Sequence, residues 1–179
     1  MPVRHDGSMP ITPDTKNWTW VLEKPCPECG FDASAFEAPD VAALLRANAT
    51  AWPAVLARPD VRVRPDESTW SPLEYSAHVR DVFRLYEYRL GLIEQHDDPL
   101  FPNWDQDATA VEQQYNEQEP AAVSDELLAA AASLADALDR VTDRSRPGRR
   151  SDGVSFTTET FAKYFIHDPI HHLHDVGGG

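Results

Sequence analysis

The sequence predicts an all-α protein, a four-helix bundle preceded by an irregular N-terminal arm. Four segments place apolar residues at helical spacing, and none alternates convincingly between apolar and polar residues as a half-buried strand does. Stretches rich in proline, glycine, serine and aspartate separate these segments and break helices. At 179 residues the chain has about the length of one domain, so the helices are expected to share one core.

The arm is predicted over residues 1–35, which are rich in proline and lack a sustained helical period. Trp18 and Trp20 are expected to pack against the main body. The arm contains both cysteines of the chain, in the sequence Cys26-Pro27-Glu28-Cys29-Gly30. Two cysteines are too few for a disulfide scaffold, which leaves half a zinc site, a redox pair or a local structural turn as interpretations. His5 is the nearest additional imidazole.

The bundle is predicted over residues 36–176, and its first two helices have clear start signals. Asp40 can cap the first, which extends to Leu56 with a break expected at Pro53. Ser71 can cap the second, with Pro72 at a favoured first position. Its apolar residues recur at helical spacing over more than five turns, up to Ile93, and Asp97-Asp98-Pro99 ends it.

The second half of the bundle is predicted from weaker signals. A short helix is expected over residues 108–116, and a third long helix opens at Ser124 and extends to Val141. Residues 144–153 are expected to form a loop. The fourth helix begins after Thr157 or Thr158 and ends at the glycines of residues 177–179, which are predicted to form a flexible tail.

The charge of the chain limits its partners. It has 16 Lys and Arg against 30 Asp and Glu, a formal charge of −14, which argues against nucleic acids and anionic membranes. No run of about 18 apolar residues occurs, and residues 1–10 lack the apolar core of a signal peptide, so a cytoplasmic protein is expected. Arg140 and residues 144–153 concentrate positive charge, either as a solvated loop near a helix end or as a clamp for a carboxylate ligand.

Four of the seven histidines fall within residues 167–174. In a helix His167 and His171 lie one turn apart, a spacing that lets two imidazoles bind one divalent ion. Because a catalytic zinc usually has three protein ligands, another is needed. His78 borders the buried face of the second helix and is the candidate for it.

Helical projection divides the fourth helix into two faces. His174 shares the face of His167 and His171 and is an ambiguous extra ligand, whereas His172 points elsewhere. The alternatives are that this face is solvent-exposed and that His78 is a core residue with a hydrogen-bond partner. Asp81 and Asp175 are placed either to orient imidazoles or to lie on the surface.

Pro169 lies between His167 and His171 in sequence. It removes the hydrogen bond to the carbonyl of Phe165, so a kink is expected there.

Two sequence motifs resemble the DinB/YfiT-like superfamily of four-helix metalloproteins: residues 70–81, WSPLEYSAHVRD, and residues 164–173, YFIHDPIHHL. The resemblance covers roughly residues 40–176. It implies a bundle with a long crossover and a divalent metal site, zinc or nickel, whose ligands would be His78, His167 and His171. Some relatives are thiol S-transferases or isomerases that use low-molecular-weight thiols such as mycothiol or bacillithiol, and others resemble metal-dependent hydrolases.

These observations lead to a hypothesis of metal-dependent thiol S-transfer, in which the ion lowers the pKa of a bound thiol. The expected partners are a small-molecule thiol and an electrophilic substrate. Activation of water, and hence a hydrolase, is the alternative within the same site. A different class is a non-catalytic metal-binding stress protein, which could be a homodimer through an exposed helix face. The sequence assigns no catalytic residue beyond the metal ligands.

Overall fold

The structure is a computed structural model that describes residue 11 and residues 17–179. The predictions made for residues 1–10, including the absence of an apolar leader and the supporting role of His5, lie outside the described residues. The first bundle helix is split into α1 (Val41–Ala49) and α2 (Trp52–Leu56). Pro53 stands in the first turn of α2, where its missing N–H is tolerated, so the break precedes the proline.

Helix α3 (Pro72–Gln95) is the longest element in the described part of the chain. Ser71 caps it as predicted: its hydroxyl accepts a hydrogen bond from the Glu74 backbone N–H at 3.2 Å, and the Glu74 carboxylate accepts one from the Ser71 N–H at 2.9 Å. Arg64 forms a buried ion pair with Glu74. The start of α3, where His78 projects, is therefore firmly positioned.

Helices α4 (Gln106–Glu112) and α5 (Pro120–Asp139) follow. The prediction that this long helix opens at Ser124 was wrong, because Pro120 occupies a first-turn position one turn earlier. Helix α5 packs along α3 and α1 and buries the predicted apolar stripe that includes Leu127, Leu134 and Leu138.

The expected loop at residues 144–153 contains part of a two-stranded antiparallel hairpin, which corrects the expectation that the chain has no strands. Strand β1 (Pro147–Arg149) pairs with β2 (Ser155–Thr157), with Gly148 opposite Phe156. Strands of three residues are too short to show an alternating pattern in the sequence. A Cβ atom at Gly148 would lie 2.6 Å from Cζ of Phe101, so only glycine fits there.

The last bundle helix is also split, into α6 (Thr158–Phe165) and α7 (His167–Asp175). Thr157 caps α6 as predicted. The expected interruption by Pro169 occurs, and α6 ends at Phe165, the residue whose carbonyl a proline at 169 cannot bond. Pro169 consequently stands in the first turn of α7. The Asn48 side chain donates a hydrogen bond to its carbonyl at 3.1 Å and joins this break to α1.

The described part of the arm, residue 11 and residues 17–35, contains short 3-10 turns and packs on the bundle. Val21, Cys26 and Phe31 are buried in the main core, and the predicted packing of Trp18 and Trp20 against the body is present. At the other end, the N–H of Gly178 donates to the carbonyl of Leu173 at 2.9 Å and closes α7. Within the described residues, no helix combines the length and apolar character that a membrane crossing requires.

Candidate metal centres

Helix α7 presents potential metal ligands on two faces. His167 and His171 are one turn apart, and so are Asp168 and His172, which lie about 100° further around the helix. The first pair faces the arm and the second pair faces α3. Two groups of ligand atoms result, each with its atoms within 4.8 Å of one another. We call them the His78 centre (His78, Asp168 and His172) and the cysteine centre (Cys26, Cys29, His167 and His171).

In the His78 centre, two imidazoles converge on one carboxylate. Nε2 of His78 lies 3.3 Å from Oδ2 of Asp168, and Nε2 of His172 lies 3.4 Å from Oδ1 of the same side chain. His78 is fully buried. Two imidazole nitrogens and one carboxylate form a ligand set found in catalytic zinc sites, where a further position is left for water or substrate.

Unsatisfied polar atoms mark this centre. Nδ1 and Nε2 of His78 and Oδ2 of Asp168 are buried and have no hydrogen-bond partner among the described residues. Nε2 of His78 and Oδ2 of Asp168 are close but do not have hydrogen-bond geometry. This is the arrangement expected when both atoms are directed at a position between them that a metal ion could occupy. Buried polar atoms normally have partners, and a divalent cation would satisfy one lone pair on each ligand. The residues therefore fit a metal ion.

Asp175 fixes the ring of His172. Its Oδ2 lies 3.0 Å from Nδ1 of His172, which leaves Nε2 directed at Asp168. Burial alone would lower the pKa of His172, but the charges and hydrogen bonds of Asp168 and Asp175 raise it to about 9. Burial likewise favours protonation of Asp168, yet His172 and His78 hold the pKa of its carboxyl well below its usual range.

The His78 centre lies in the wall of a cavity of about 690 Å³. The ring of Trp104 stacks on His78 with centroids 5.6 Å apart, and Trp70 packs against His78 at 5.2 Å. Tyr75 packs against His172 at 4.9 Å. These three aromatic residues also line the cavity. Its lining also includes Tyr86, Arg89, Arg150 and Tyr164.

Two arginines, Arg89 and Arg150, line the cavity together with five aspartates, Asp105, Asp107, Asp152, Asp168 and Asp175. Arg150 donates to the Tyr164 hydroxyl at 2.9 Å and pairs with Asp152, whose hydrogen bond is the main cause of a raised Arg150 pKa. Burial lowers the pKa of Arg89, which packs against the Tyr86 and Phe101 rings. Of the basic residues near the hairpin, Arg146 instead donates to the carbonyls of Ile93 and His96 at the end of α3. Arg146 thus matches the interpretation of cations near a helix end, whereas the clamp for a carboxylate ligand stays a prediction.

The cysteine centre lies where the arm meets α7. Sγ of Cys26 is 3.7 Å from Nδ1 of His171, and both cysteines are reduced. Burial, together with the neighbouring Cys26, raises the pKa of Cys29 to about 11. Burial and the nearby His171 lower the pKa of His167 to about 4. The raised pKa of Cys29 is the opposite of the low thiol pKa that a redox-active pair has.

The structure therefore divides the predicted ligand set. His167 and His171 lie with the two cysteines, whereas His78 lies with Asp168 and His172, and an ion bound by all three histidines stays a prediction. His172, which the projection turned away from the site, contacts the ring of His78 at 5.0 Å between centroids. Its partnership with Asp168 was missed, although the Asp-x-x-x-His spacing is the same as that of His167 and His171. His174 is exposed and belongs to neither group.

The two predicted orienting acids differ in outcome. Asp175 contacts both His172 and, at 3.5 Å from Oδ1 to Nε2, His171. Asp81 does not contact His78. Its carboxylate accepts a hydrogen bond from the Tyr115 hydroxyl and pairs with Arg80, because Asp81 lies on the side of α3 that faces the segment before α5.

Together, the fold and the site define a class of protein: a helical bundle with histidine, cysteine and carboxylate ligands clustered around its last helix, α7. No family model and no curated protein sequence matches the chain. Among solved structures it is similar to YfiT from Bacillus subtilis, described as a probable metal-dependent hydrolase with an unusual four-helix bundle topology. The TM-score is 0.61 at 16% identity, over 92% of this chain and 89% of that chain. The predicted four-helix bundle is confirmed, and its fold is similar to that of YfiT.

Proposed function

We propose that this protein is a metal-dependent enzyme whose divalent ion, zinc in our assignment, is held by His78, Asp168 and His172. The observation that carries the proposal is the convergence of these three ligands, with unsatisfied atoms on His78 and Asp168, in the wall of a cavity. An ion bound there by three protein ligands lowers the pKa of a thiol or a water molecule and supplies a nucleophile at neutral pH.

The side chains around the centre have distinct roles. Asp175 holds the ring of His172 with Nε2 towards Asp168, and the rings of Trp70 and Trp104 pack against His78 and hold it in place. Arg89 and Arg150 line the same cavity and favour a ligand that carries a carboxylate.

Thiol S-transfer is the reaction we propose for this centre. A cavity of about 690 Å³ has room for a low-molecular-weight thiol beside a second, electrophilic substrate. Low-molecular-weight thiols commonly carry carboxylates, which the two arginines would recognise. The sulfur of the thiol would form a bond to an electrophilic carbon, the bond between that carbon and its leaving group would break, the leaving group would depart with that electron pair, and the thiol proton would be released to solvent. We place this reaction in the cytoplasm, where the two reduced cysteines of the chain persist.

Hydrolysis is the second candidate, and the ligand set favours it. Two histidines and one carboxylate bind the catalytic zinc of several metal-dependent hydrolases. YfiT, whose fold this chain shares, is described as a probable hydrolase. Both candidate reactions use the same centre and differ in the nucleophile.

The two reactions are separated by assaying zinc-loaded protein with a thiol plus an electrophilic acceptor, and with an ester or amide in water. Thiol-dependent turnover that is lost in His78→Ala and retained in His96→Ala is the expected result. His96 is an exposed histidine that follows the same helix. Turnover of the ester without thiol would instead assign the hydrolase. If the protein binds stoichiometric zinc but turns over neither substrate, the remaining interpretation is a non-catalytic metal-binding protein.

The ligand set has its own test, because the three-histidine site remains the rival prediction. We expect Asp168→Asn and His172→Ala to weaken zinc binding at the His78 centre. Competition with a coloured chelator measures the affinity. A loss in His167→Ala with full retention in His172→Ala would favour the three-histidine set. Light scattering of the same samples tests the predicted homodimer.

A further inference from the structure

We infer that the protein binds a second metal ion, a structural zinc, at the cysteine centre through Cys26, Cys29, His167 and His171. This inference does not depend on the proposed function, because it uses a separate set of ligands. The four ligand atoms come from two segments far apart in sequence and lie within 4.8 Å of one another.

The ligand set is that of a closed zinc site. Cys-x-x-Cys followed by His-x-x-x-His supplies two sulfurs and two nitrogens, a combination that binds structural zinc tetrahedrally. Zinc–sulfur and zinc–nitrogen bonds of about 2.3 and 2.1 Å place sulfur and nitrogen about 3.6 Å apart in a tetrahedron. The observed separation of Cys26 Sγ and His171 Nδ1 is 3.7 Å. With four protein ligands, no position remains for a substrate.

The backbone of the arm is shaped to present both sulfurs. The N–H of Gly30 donates to the carbonyl of Cys26 at 2.9 Å, and the N–H of Cys26 donates to the carbonyl of Phe31 at 2.8 Å. Gly30 has φ +75°, a conformation that favours glycine and that reverses the chain just after Cys29. This turn directs the two cysteines towards α7.

His167 carries independent evidence of a missing partner, and His171 is oriented towards the cysteines. Nε2 of His167 is buried without a hydrogen-bond partner in the part of the chain that the structure describes, and only 5% of the residue is exposed. His171 directs Nδ1 at Cys26, while its Nε2 lies 3.2 Å from Glu28 Oε2 and 3.5 Å from Asp175 Oδ1. A carboxylate on the outer nitrogen is the usual support of a metal-bound imidazole. Glu28 lies inside the Cys-x-x-Cys segment itself.

The zinc would join the arm to the last helix. Both cysteines belong to the arm and both histidines to α7, which otherwise meet through ring contacts such as Phe31 with His167 and Trp18 with His171. Trp18 also lines the cavity, so a fixed arm fixes part of the cavity wall. On binding, the two thiols release two protons and become thiolate ligands of the ion.

The test is zinc-edge X-ray absorption on full-length, reduced, zinc-loaded His78→Ala protein. The substitution removes a ligand of the His78 centre, so that zinc is bound at the cysteine centre alone. We expect about one zinc per chain, with two sulfurs at about 2.3 Å and two nitrogens at about 2.0–2.1 Å. A first shell without sulfur would overturn the inference. A Cys26–Cys29 disulfide, detected by intact-mass spectrometry of protein kept free of chelators and oxidants, would also overturn the inference.

Matched variants give a second readout. His171→Ala and the double variant Cys26→Ser/Cys29→Ser should each lose the sulfur-bound zinc, whereas His174→Ala, an exposed histidine of the same helix, should keep it. If the double variant does not fold, the spectrum of the His78→Ala protein still decides. If wild-type protein holds only a sulfur-bound zinc, the metal ion proposed at the His78 centre is refuted and the structural zinc at the cysteine centre is supported. The proposed function and this inference can therefore fail separately.

Discussion

At the scale of single residues, Asp175 has an unusual position because its two carboxylate oxygens contact histidines of two different centres. Oδ2 lies 3.0 Å from His172 Nδ1 and Oδ1 lies 3.5 Å from His171 Nε2. Each contact leaves the opposite ring nitrogen directed at its own group of ligands. Acids that contact metal-binding histidines in this way set both the tautomer and the orientation of the ring.

We predict that Asp175→Asn weakens zinc binding at the His78 centre by about 10- to 100-fold, because His172 loses the charged acceptor that fixes its ring. Competition with a chelator of known affinity measures the change. Asp125→Asn, which removes an exposed acid from α5, serves as the control and should leave affinity unchanged. Equal affinity of Asp175→Asn and wild-type protein would rule out an orienting role.

Gly148 and Gly91 form a matched pair for a stability measurement. A Cβ at Gly148 would lie 2.6 Å from Phe101 Cζ and 2.9 Å from Ile93 Cγ1, so Gly148→Ala should destabilise the fold by about 1–3 kcal/mol. A Cβ at Gly91, inside α3, would meet the Gln95 side chain at 3.8 Å, an ordinary contact, so Gly91→Ala should stabilise the fold by about 0.5–1 kcal/mol. Urea unfolding of both variants tests the opposite signs. Similar effects of the two changes would contradict the packing described for β1.

At the scale of elements, the ends of helices determine where the ligands lie. The capping box at Ser71 sets the start of α3, two turns before His78. At the other side, Pro169 interrupts the last bundle helix, so that α7 begins at His167 as a separate helix held by Asn48. Both elements that supply the His78 centre therefore have a fixed start close to their ligands.

Ser71→Ala should lower the free energy of unfolding by about 1–2 kcal/mol. The change removes the cap of α3 and a buried hydrogen bond between the Ser71 hydroxyl and Oδ1 of Asn116. Ser151→Ala, at an exposed loop position, should change stability little. Chemical denaturation monitored by circular dichroism makes the comparison, and a neutral Ser71→Ala would show that tertiary packing alone fixes the start of α3.

At the scale of the whole molecule, the N-terminal arm completes the bundle. Its residues enter the same core as the helices, and Lys163 of α6 donates to the carbonyl of Ala33 at 3.2 Å. With the inferred zinc, the arm is also joined to α7 through metal bonds. Metal binding to the folded state alone raises stability in proportion to its affinity and concentration.

Chelator should therefore lower the thermal midpoint of His78→Ala protein, whose remaining zinc is that of the cysteine centre. A free-ion concentration of about 100 times the dissociation constant contributes about 2.7 kcal/mol. For a chain of this length that corresponds to roughly 5–10 °C. Differential scanning fluorimetry with and without chelator measures the shift. The same treatment of Cys26→Ser/Cys29→Ser/His78→Ala protein should cause none, and a shift there would show that the metal acts elsewhere.

The sequence by itself determined the bundle, the cap at Ser71, the break at Pro169 and the concentration of ligands in residues 167–175, because periodicity, capping and proline act within a few residues. It could not determine how those ligands are shared. A helical projection gives the angle between His171 and His172 but not what packs on each face. Only the tertiary structure, which places the arm on one face of α7 and α3 on the other, groups the histidines with Cys26 and Cys29 or with His78. The physical reason is that metal coordination depends on distances between segments separated by up to about 140 residues, and local patterns carry no information about those distances.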